Sequence, residues 1–287
     1  MKSRVIQDDP GDQPQGRQIR NPQTSPARGL IGDGFPFVRF GTGPRTLVVL
    51  PGLGLDNDVP GALLARGYAY AFRRLAVDHT VYIVDRRPGL PPGASTSDIA
   101  DAYAGLLRDE IGPARVMAMS TGGLVAQHLA ADHPDVVERL VLVSTGVRID
   151  EAGRAICARW RDLATRGRWR RLRGDHATAA VDSGQAFARL AGALSGGAPS
   201  PVDAADFVTT VDAVLAHDTR DRLGAITAPT IVIGGGRDPF FRASTFRETA
   251  DAIPGAVLRL HETSGHGLAK HHGGLVQDET LAFFDDR

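Results

Sequence analysis

Short apolar runs alternate with longer amphipathic stretches along most of this 287-residue chain. Residues 46–50, 116–119, 140–143 and 230–233 are nearly continuous in Leu, Val, Ile, Met, Ala and Thr. Successive side chains of a strand point to opposite faces, so such a run needs cover on both sides. Residues 80–84 and 256–260 predict two further strands, and 35–40 an edge strand, because Pro36 offers no N–H to a ladder. Between these runs the apolar positions recur at helical spacing. A helix is expected over 61–76 with Leu63, Leu64, Tyr68 and Phe72 on one side. Another is expected over 98–111, capped by Thr96 or Ser97 with Asp98 and Asp101 in its first turn. A third follows Ser120, with Leu124, Val125, His128 and Leu129 on one face, and ends at His133-Pro134. The last two are expected at 244–252 and 273–285, the latter turning Leu275, Leu281 and Phe284 inward. Strands alternating with helices predict an α/β fold with a mostly parallel, doubly wound sheet.

Two regions break the alternation. Residues 1–33 are rich in Gln, Pro, Gly, Asp and Arg without an apolar period, and are expected to be a flexible tail. Residues 148–220 contain no buried-strand run and read as helices, with a Gly/Ser/Pro loop over 191–201. This stretch falls between two sheet strands, so it is expected to be an inserted helical lid over their carboxyl ends. The core would then be 34–147 and 221–287. The insertion holds both tryptophans, Trp160 and Trp169, and many arginines, among them Arg168, Arg170 and Arg171. Those arginines read as a solvated face, with attraction of an anionic substrate as the alternative.

Charge and composition narrow the classes. Lys plus Arg equals Asp plus Glu, 33 each, so no overall field favours nucleic acid or a membrane surface. The single cysteine, Cys157, cannot form an intrachain disulfide. The first residues lack the apolar segment of a secretory signal, and no run approaches the ~20 apolar residues of a membrane helix. A soluble cytoplasmic protein with a small-molecule substrate is expected.

The chemistry concentrates in loops that follow the apolar runs. Ala118-Met119-Ser120-Thr121-Gly122 passes from strand to helix with almost no loop, the context of a nucleophile elbow. A buried serine that only caps the helix is the alternative. Residues 51–57, Pro-Gly-Leu-Gly-Leu-Asp-Asn, follow a buried strand and can turn backbone N–H groups toward a ligand, or form an ordinary glycine turn. Gly234-Gly235-Gly236-Arg237-Asp238 puts a carboxylate at a strand end, though an aspartate there commonly only shapes a turn. Ser264-Gly265-His266-Gly267 puts a histidine beyond the next strand, whereas His261 reads as structural. No carboxylate follows the strand ending at Val143. His266, His271 and His272 lack the carboxylate or cysteine company of a metal site, so neither a metal nor another cofactor is expected. Serine needs an adjacent base, and imidazole needs a carboxylate to fix its tautomer. Ser120, Asp238 and His266 supply these groups in one layer.

In these motifs, P-G-L-G, A-M-S-T-G-G, G-G-G-R-D-P and S-G-H-G, the chain from about residue 35 onward resembles the alpha/beta hydrolase superfamily. It is most similar to lid-bearing bacterial serine hydrolases such as esterases, lactonases and iminopeptidases. The resemblance implies catalytic Ser120, Asp238 and His266, an oxyanion hole from the Leu53 and Thr121 N–H groups, and hydrolysis of a small ester, lactone or thioester through an acyl-enzyme. Amide cleavage, cofactor-free haloperoxidase or C–C hydrolase chemistry, and a binding protein on the same fold remain alternatives. Two departures stand out: Ala118 replaces the first elbow glycine, and Pro51 stands where related chains often carry histidine.

Overall fold

The computed structural model describes residues 4–6, 25–179 and 204–286. Among the described residues nine strands form one sheet: β1 (Arg4–Ile6), β2 (Ala27–Ile31), β3 (Phe35–Phe40), β4 (Arg45–Leu50), β5 (His79–Val84), β6 (Ala114–Met119), β7 (Val137–Val143), β8 (Thr230–Gly235) and β9 (Val257–His261). Their spatial order is β1-β9-β8-β7-β6-β4-β5-β3-β2. β3 runs antiparallel to β2 and β5, and every other pair is parallel. Among the described residues the helices are α1 (Ala62–Ala71), α2 (Thr96–Leu106), α3 (Thr121–Asp132), α4 (Glu151–Thr165), α5 (Trp169–Ala179), α6 (Ala204–Ala216), α7 (Ala243–Ala252), α8 (Leu268–His271) and α9 (Gly273–Asp285).

The continuous apolar runs became the central strands because both faces are covered. Val48, Leu50, Val116, Ala118, Leu140, Leu142 and Val232 pack on one side with Ile99 and Tyr103 of α2, Leu124 of α3 and Phe246 of α7. Their neighbours Leu47, Val49, Met117, Val141, Val143, Ile231 and Ile233 pack on the other side with Ala65 and Ala69 of α1 and Val276 and Phe284 of α9. After β4 the chain winds first to β5 on one flank and then to β6 on the other. The loops leaving β4 and β6 therefore part at a topological switch point, where doubly wound sheets open a crevice.

Several expectations need correction. Within the stretch 1–33, Arg4–Ile6 pairs parallel to β9 and Ala27–Ile31 pairs antiparallel to β3. A flexible tail does not describe those residues; Ala27–Ile31 carries no apolar run because none of its side chains is fully buried. Residues 7–24 lie outside the described residues, as do 191–201. β3 is not an edge, since β2 lies beyond it, and the Pro36 carbonyl accepts the Asp85 N–H at 3.0 Å. On α1 the small side chains Ala65 and Ala69 approach the sheet while Leu63 and Leu64 are exposed. The cap of α2 is Ser95: its hydroxyl accepts the Asp98 N–H, and the Asp98 carboxylate accepts the Ser95 N–H. Thr96 is buried instead against His217, its hydroxyl 2.8 Å from Nδ1. Leu275 is exposed, and Phe284 alone of the three expected residues of α9 is fully buried.

The α4–α6 stretch enters between β7 and β8. Arg148 and Asp218 pair across its neck in an isolated antiparallel bridge. Trp160, Leu163, Leu172, Phe207 and Val211 join the core on the α2–α3 side of the sheet. Among the described residues no helix is long and apolar enough to cross a membrane.

Candidate active site

Ser120 stands between β6 and α3 with φ 50° and ψ −119°. A non-glycine residue in this region carries about 1–3 kcal/mol of strain and persists only when its surroundings fix it. Here the Ser120 N–H donates to the Val143 carbonyl at 3.0 Å, and its carbonyl accepts from Gly123 and Leu124. A side chain at Gly122 would lie 2.4 Å from the Leu50 carbonyl oxygen, so only glycine lets α3 start this close to β4. Ala118 is fully buried in the core beside Leu50, so its methyl group is accommodated. Ser144 at the end of β7 also has positive φ, 49°, but it is not among the residues lining the cavity at Ser120.

His266 meets both other groups. Its Nε2 is 3.0 Å from Ser120 Oγ and its Nδ1 is 2.7 Å from Asp238 Oδ2. A carboxylate only accepts, so Nδ1 carries a proton and donates to Asp238. In the neutral ring Nε2 is then an acceptor for the serine hydroxyl. Asp238 shapes its turn as well, since Oδ1 accepts the Phe240 N–H at 2.8 Å and the Phe241 N–H at 3.2 Å. One oxygen serves the turn and the other serves histidine, so the two readings of this aspartate hold together. The loops of β8 and β9 are brought together at Gly235, where a side chain would lie 2.4 Å from the Ser264 carbonyl oxygen. The Arg237 N–H donates to that carbonyl at 2.9 Å.

A cavity of about 160 Å³ opens above Ser120, and most of its described lining is apolar. Leu53, Leu124, Ile149, Cys157, Trp160 and Phe240 contribute, with His176 as a polar exception. Gly52 and Thr121 flank the serine. Thr121 is the first residue of α3, so its N–H has no acceptor within the helix. Burial pushes the Cys157 thiol pKa up to about 12, which leaves it protonated and a poor nucleophile. Trp169 is elsewhere: it stands edge-on to Phe207 at 6.2 Å and lines a separate cleft at the α4–α5 turn. His261 is buried away from the serine, with Nε2 3.3 Å from Glu279. Among the described residues no group of three or more His, Cys, Asp or Glu side chains is placed to hold a metal ion.

The model of one family, described as the alpha/beta hydrolase family, matches residues 47–278. The chain belongs to the alpha/beta hydrolase family. It is 31% identical over 246 residues to a pimeloyl-[acyl-carrier protein] methyl ester esterase of Chromobacterium violaceum, covering 81% of this chain and 91% of that protein. It is 29% identical over 267 residues to the polyketide synthase ThaQ of Burkholderia thailandensis, covering 87% of this chain but 12% of that much longer protein. Among solved structures it is similar to MGS-M2, an alpha/beta hydrolase enzyme from a Medee basin deep-sea metagenome library. That likeness has a TM-score of 0.75 at 14% identity and covers 91% of this chain and 98% of the other.

This alpha/beta hydrolase ties its inserted helices to the loops at the strand ends through buried polar side chains that sequence reasoning missed. Asp206 of α6, 1% exposed, accepts the Gly89 and Leu90 N–H groups at 2.9 and 2.6 Å and the Asn57 amide at 2.9 Å. Arg86 after β5 reaches Thr210 of α6 at 2.9 Å and the Gly54 carbonyl at 3.4 Å. His176 of α5 lies 2.8 Å from the Leu53 carbonyl. Pro51 leaves the 51–57 loop without a histidine of its own, yet one reaches it from α5. These partners lie far apart in sequence, and no local motif marks them.

Proposed function

We propose that the protein hydrolyses a carboxylic ester through an acyl-enzyme on Ser120. The observation that carries this reading is the two-sided contact of one imidazole, Nε2 at 3.0 Å from the Ser120 hydroxyl and Nδ1 at 2.7 Å from Asp238. Serine oxygen attacks the ester carbonyl as His266 Nε2 takes the hydroxyl proton. The buried Asp238 carboxylate stabilises the imidazolium that forms. The Leu53 and Thr121 N–H groups receive the negative charge developing on the carbonyl oxygen. Collapse of the adduct breaks the ester C–O bond, and the alcohol leaves with the proton from Nε2. Water then enters, loses a proton to the same nitrogen and attacks the acyl carbon. The acid is released and the serine regains its proton.

The apolar cavity suits the acyl chain, and the name of the Chromobacterium relative, a methyl ester esterase, supports an ester with a small alcohol as the scissile bond. Lactones and thioesters would pass through the same acyl-enzyme. The expected result is that a fluorophosphonate probe labels Ser120 in the native protein and fails to label Ser120→Ala. The same change should lower kcat by on the order of 10³ to 10⁶. Turnover that survives loss of the hydroxyl in a folded variant would refute the assignment. A parallel screen of aryl esters, lactones, thioesters and aminoacyl amides fixes the bond that is cleaved.

A further inference from the structure

We propose that His176, carried on the inserted helix α5, is a positioning residue for the oxyanion loop. This rests on the serine-hydrolase reading above, in which the Leu53 N–H is one of the two donors to the oxyanion. Residues 51–57 contain Gly52 and Gly54, and glycine supplies freedom rather than direction. Gly52 packs against the nucleophile, since a side chain there would lie 3.3 Å from Ser120 Cβ. That contact locates the near end of Leu53. Its far end is the carbonyl, and His176 Nε2–H donates to it at 2.8 Å. With both peptide units flanking Leu53 held, the direction of its N–H is set.

The hold is made by one face of one helix. Arg173, three residues before His176 on α5, pairs with Asp56 in the same loop at 3.7 Å. The His176 ring is itself fixed, tilted against Trp160 with centroids 4.9 Å apart. Trp160 contacts Phe240 at 5.6 Å, and Phe240 contacts His266 at 4.4 Å. An aromatic row thus runs from the lid histidine to the proposed base. Burial lowers the His176 pKa, the Leu53 bond opposes that, and the nearness of His266 lowers it further. The ring is therefore held neutral at neutral pH, and it donates a hydrogen bond without setting a second positive charge beside His266. A lysine or arginine in its place would make the same bond and disfavour the imidazolium on which turnover depends.

Two variants separate the hydrogen bond from the packing. His176→Phe keeps a ring against Trp160 and loses the donor, and His176→Gln keeps an N–H near the position of Nε2 and loses the ring. Amide hydrogen exchange over 51–57 should speed up about tenfold in His176→Phe and return toward wild type in His176→Gln, with global unfolding midpoints alike. Exchange unchanged in His176→Phe overturns the proposal whether or not the protein proves to be a serine hydrolase. On 4-nitrophenyl butyrate, kcat should fall about 10- to 100-fold in His176→Phe with KM within about twofold, and His176→Gln should recover most of it. Affinity for an aryl trifluoromethyl ketone, whose adduct with Ser120 carries an oxyanion, should fall by the same factor. Loss of kcat without loss of ketone affinity overturns the oxyanion role. Failure of wild type to react with fluorophosphonate would refute the Ser120 reading and leave the exchange result to decide the loop contact.

Discussion

The two halves of the candidate site are built by different means. Ser120, Asp238 and His266 follow the ends of β6 and β8, buried on both faces, and of β9, which is partly buried. Their spacing follows from strand register and from close backbone approaches at Gly122 and Gly235. The inserted helices reach the same cavity from above, and at the strand-end loops they are tied by a few long-range polar bonds: Asp206 to the loop after β5, Thr210 to Arg86, His176 to Leu53. The first arrangement is held by backbone, because the loops that carry these residues are short and close-packed against one another. In the second, beyond the core packing of the inserted helices, each of these ties depends on a single side chain, so a one-residue change can loosen the contact at a loop without unfolding the sheet. Chemistry is thus expected to be set by the sheet, and precision and selectivity by the insertion.

The largest effect tests the sheet-borne half. Asp238→Asn keeps a turn acceptor for the Phe240 N–H but favours the wrong tautomer of His266. It is expected to cut kcat by about 10² to 10⁴ with the fold intact. Steady-state kinetics beside a circular dichroism spectrum check it, and a variant within about twofold of wild type would show that Asp238 serves only its turn.

The next effect tests the anchor of the insertion. Asp206→Ala leaves the Gly89 and Leu90 N–H groups and the Asn57 amide without their buried acceptor. The expected cost is about 3 kcal/mol of unfolding free energy. Urea unfolding measures this, and a loss below about 0.5 kcal/mol would mean that water replaces the carboxylate freely.

What was legible in the sequence follows the same division. Ser120, Asp238 and His266 could be read because each follows an apolar run that reads as a strand, and strand ends of such a sheet share a layer. The pattern failed where burial is one-sided or small residues carry it. Ala27–Ile31 is paired only with β3, and its sequence, Ala-Arg-Gly-Leu-Ile, shows no apolar run. On α1 the grouping of Leu63 and Leu64 with Tyr68 and Phe72 hid the packed face, since Leu63 and Leu64 are exposed and Ala65 and Ala69 are what let that helix approach the sheet. His176 and Asp206 were invisible for another reason. Their partners Leu53 and Asn57 lie 123 and 149 residues away, and one polar residue on an amphipathic helix carries no sign of what it will meet.

A smaller effect concerns the junction where the insertion returns to the core. His217 follows α6 and is buried between Thr96 and Thr219, its ring edge-on to His128 at 5.5 Å. Burial, with His128 adding to it, lowers its pKa to about 3. Unfolded, the same group titrates near 6.5. Between these values the unfolded chain binds a proton that the folded chain refuses, so stability falls as pH drops below 6.5. The slope from this residue is on the order of 1 kcal/mol per pH unit. The difference in unfolding free energy between wild type and His217→Gln should therefore shrink from pH 7 to pH 5, other groups being common to both. A difference constant over that range would show that His217 accepts a proton in the folded state.

The smallest expected effect lies at the outer face of the insertion. Arg168, Arg170 and Arg171 are exposed at the α4–α5 turn, where they line the cleft beside Trp169 and stand apart from the cavity at Ser120. Exposed charges are screened beyond about 8 Å at physiological ionic strength, so a small effect is expected at the cavity they do not line. Replacing all three by glutamine should leave kcat/KM for a neutral aryl ester within about twofold of wild type, since surface substitutions of this kind rarely exceed about 0.5 kcal/mol. The informative arm uses an anionic ester of equal acyl length. If the face only solvates the helices, the triple variant treats both esters as wild type does, which is the expected outcome. If it gathers anionic substrates, KM for the anionic ester rises, kcat is spared, and the loss shrinks as salt is added. That second result would give the outer surface of the insertion a part in selectivity beside Trp160, whose ring lines the cavity and whose substitution should reorder esters by acyl size.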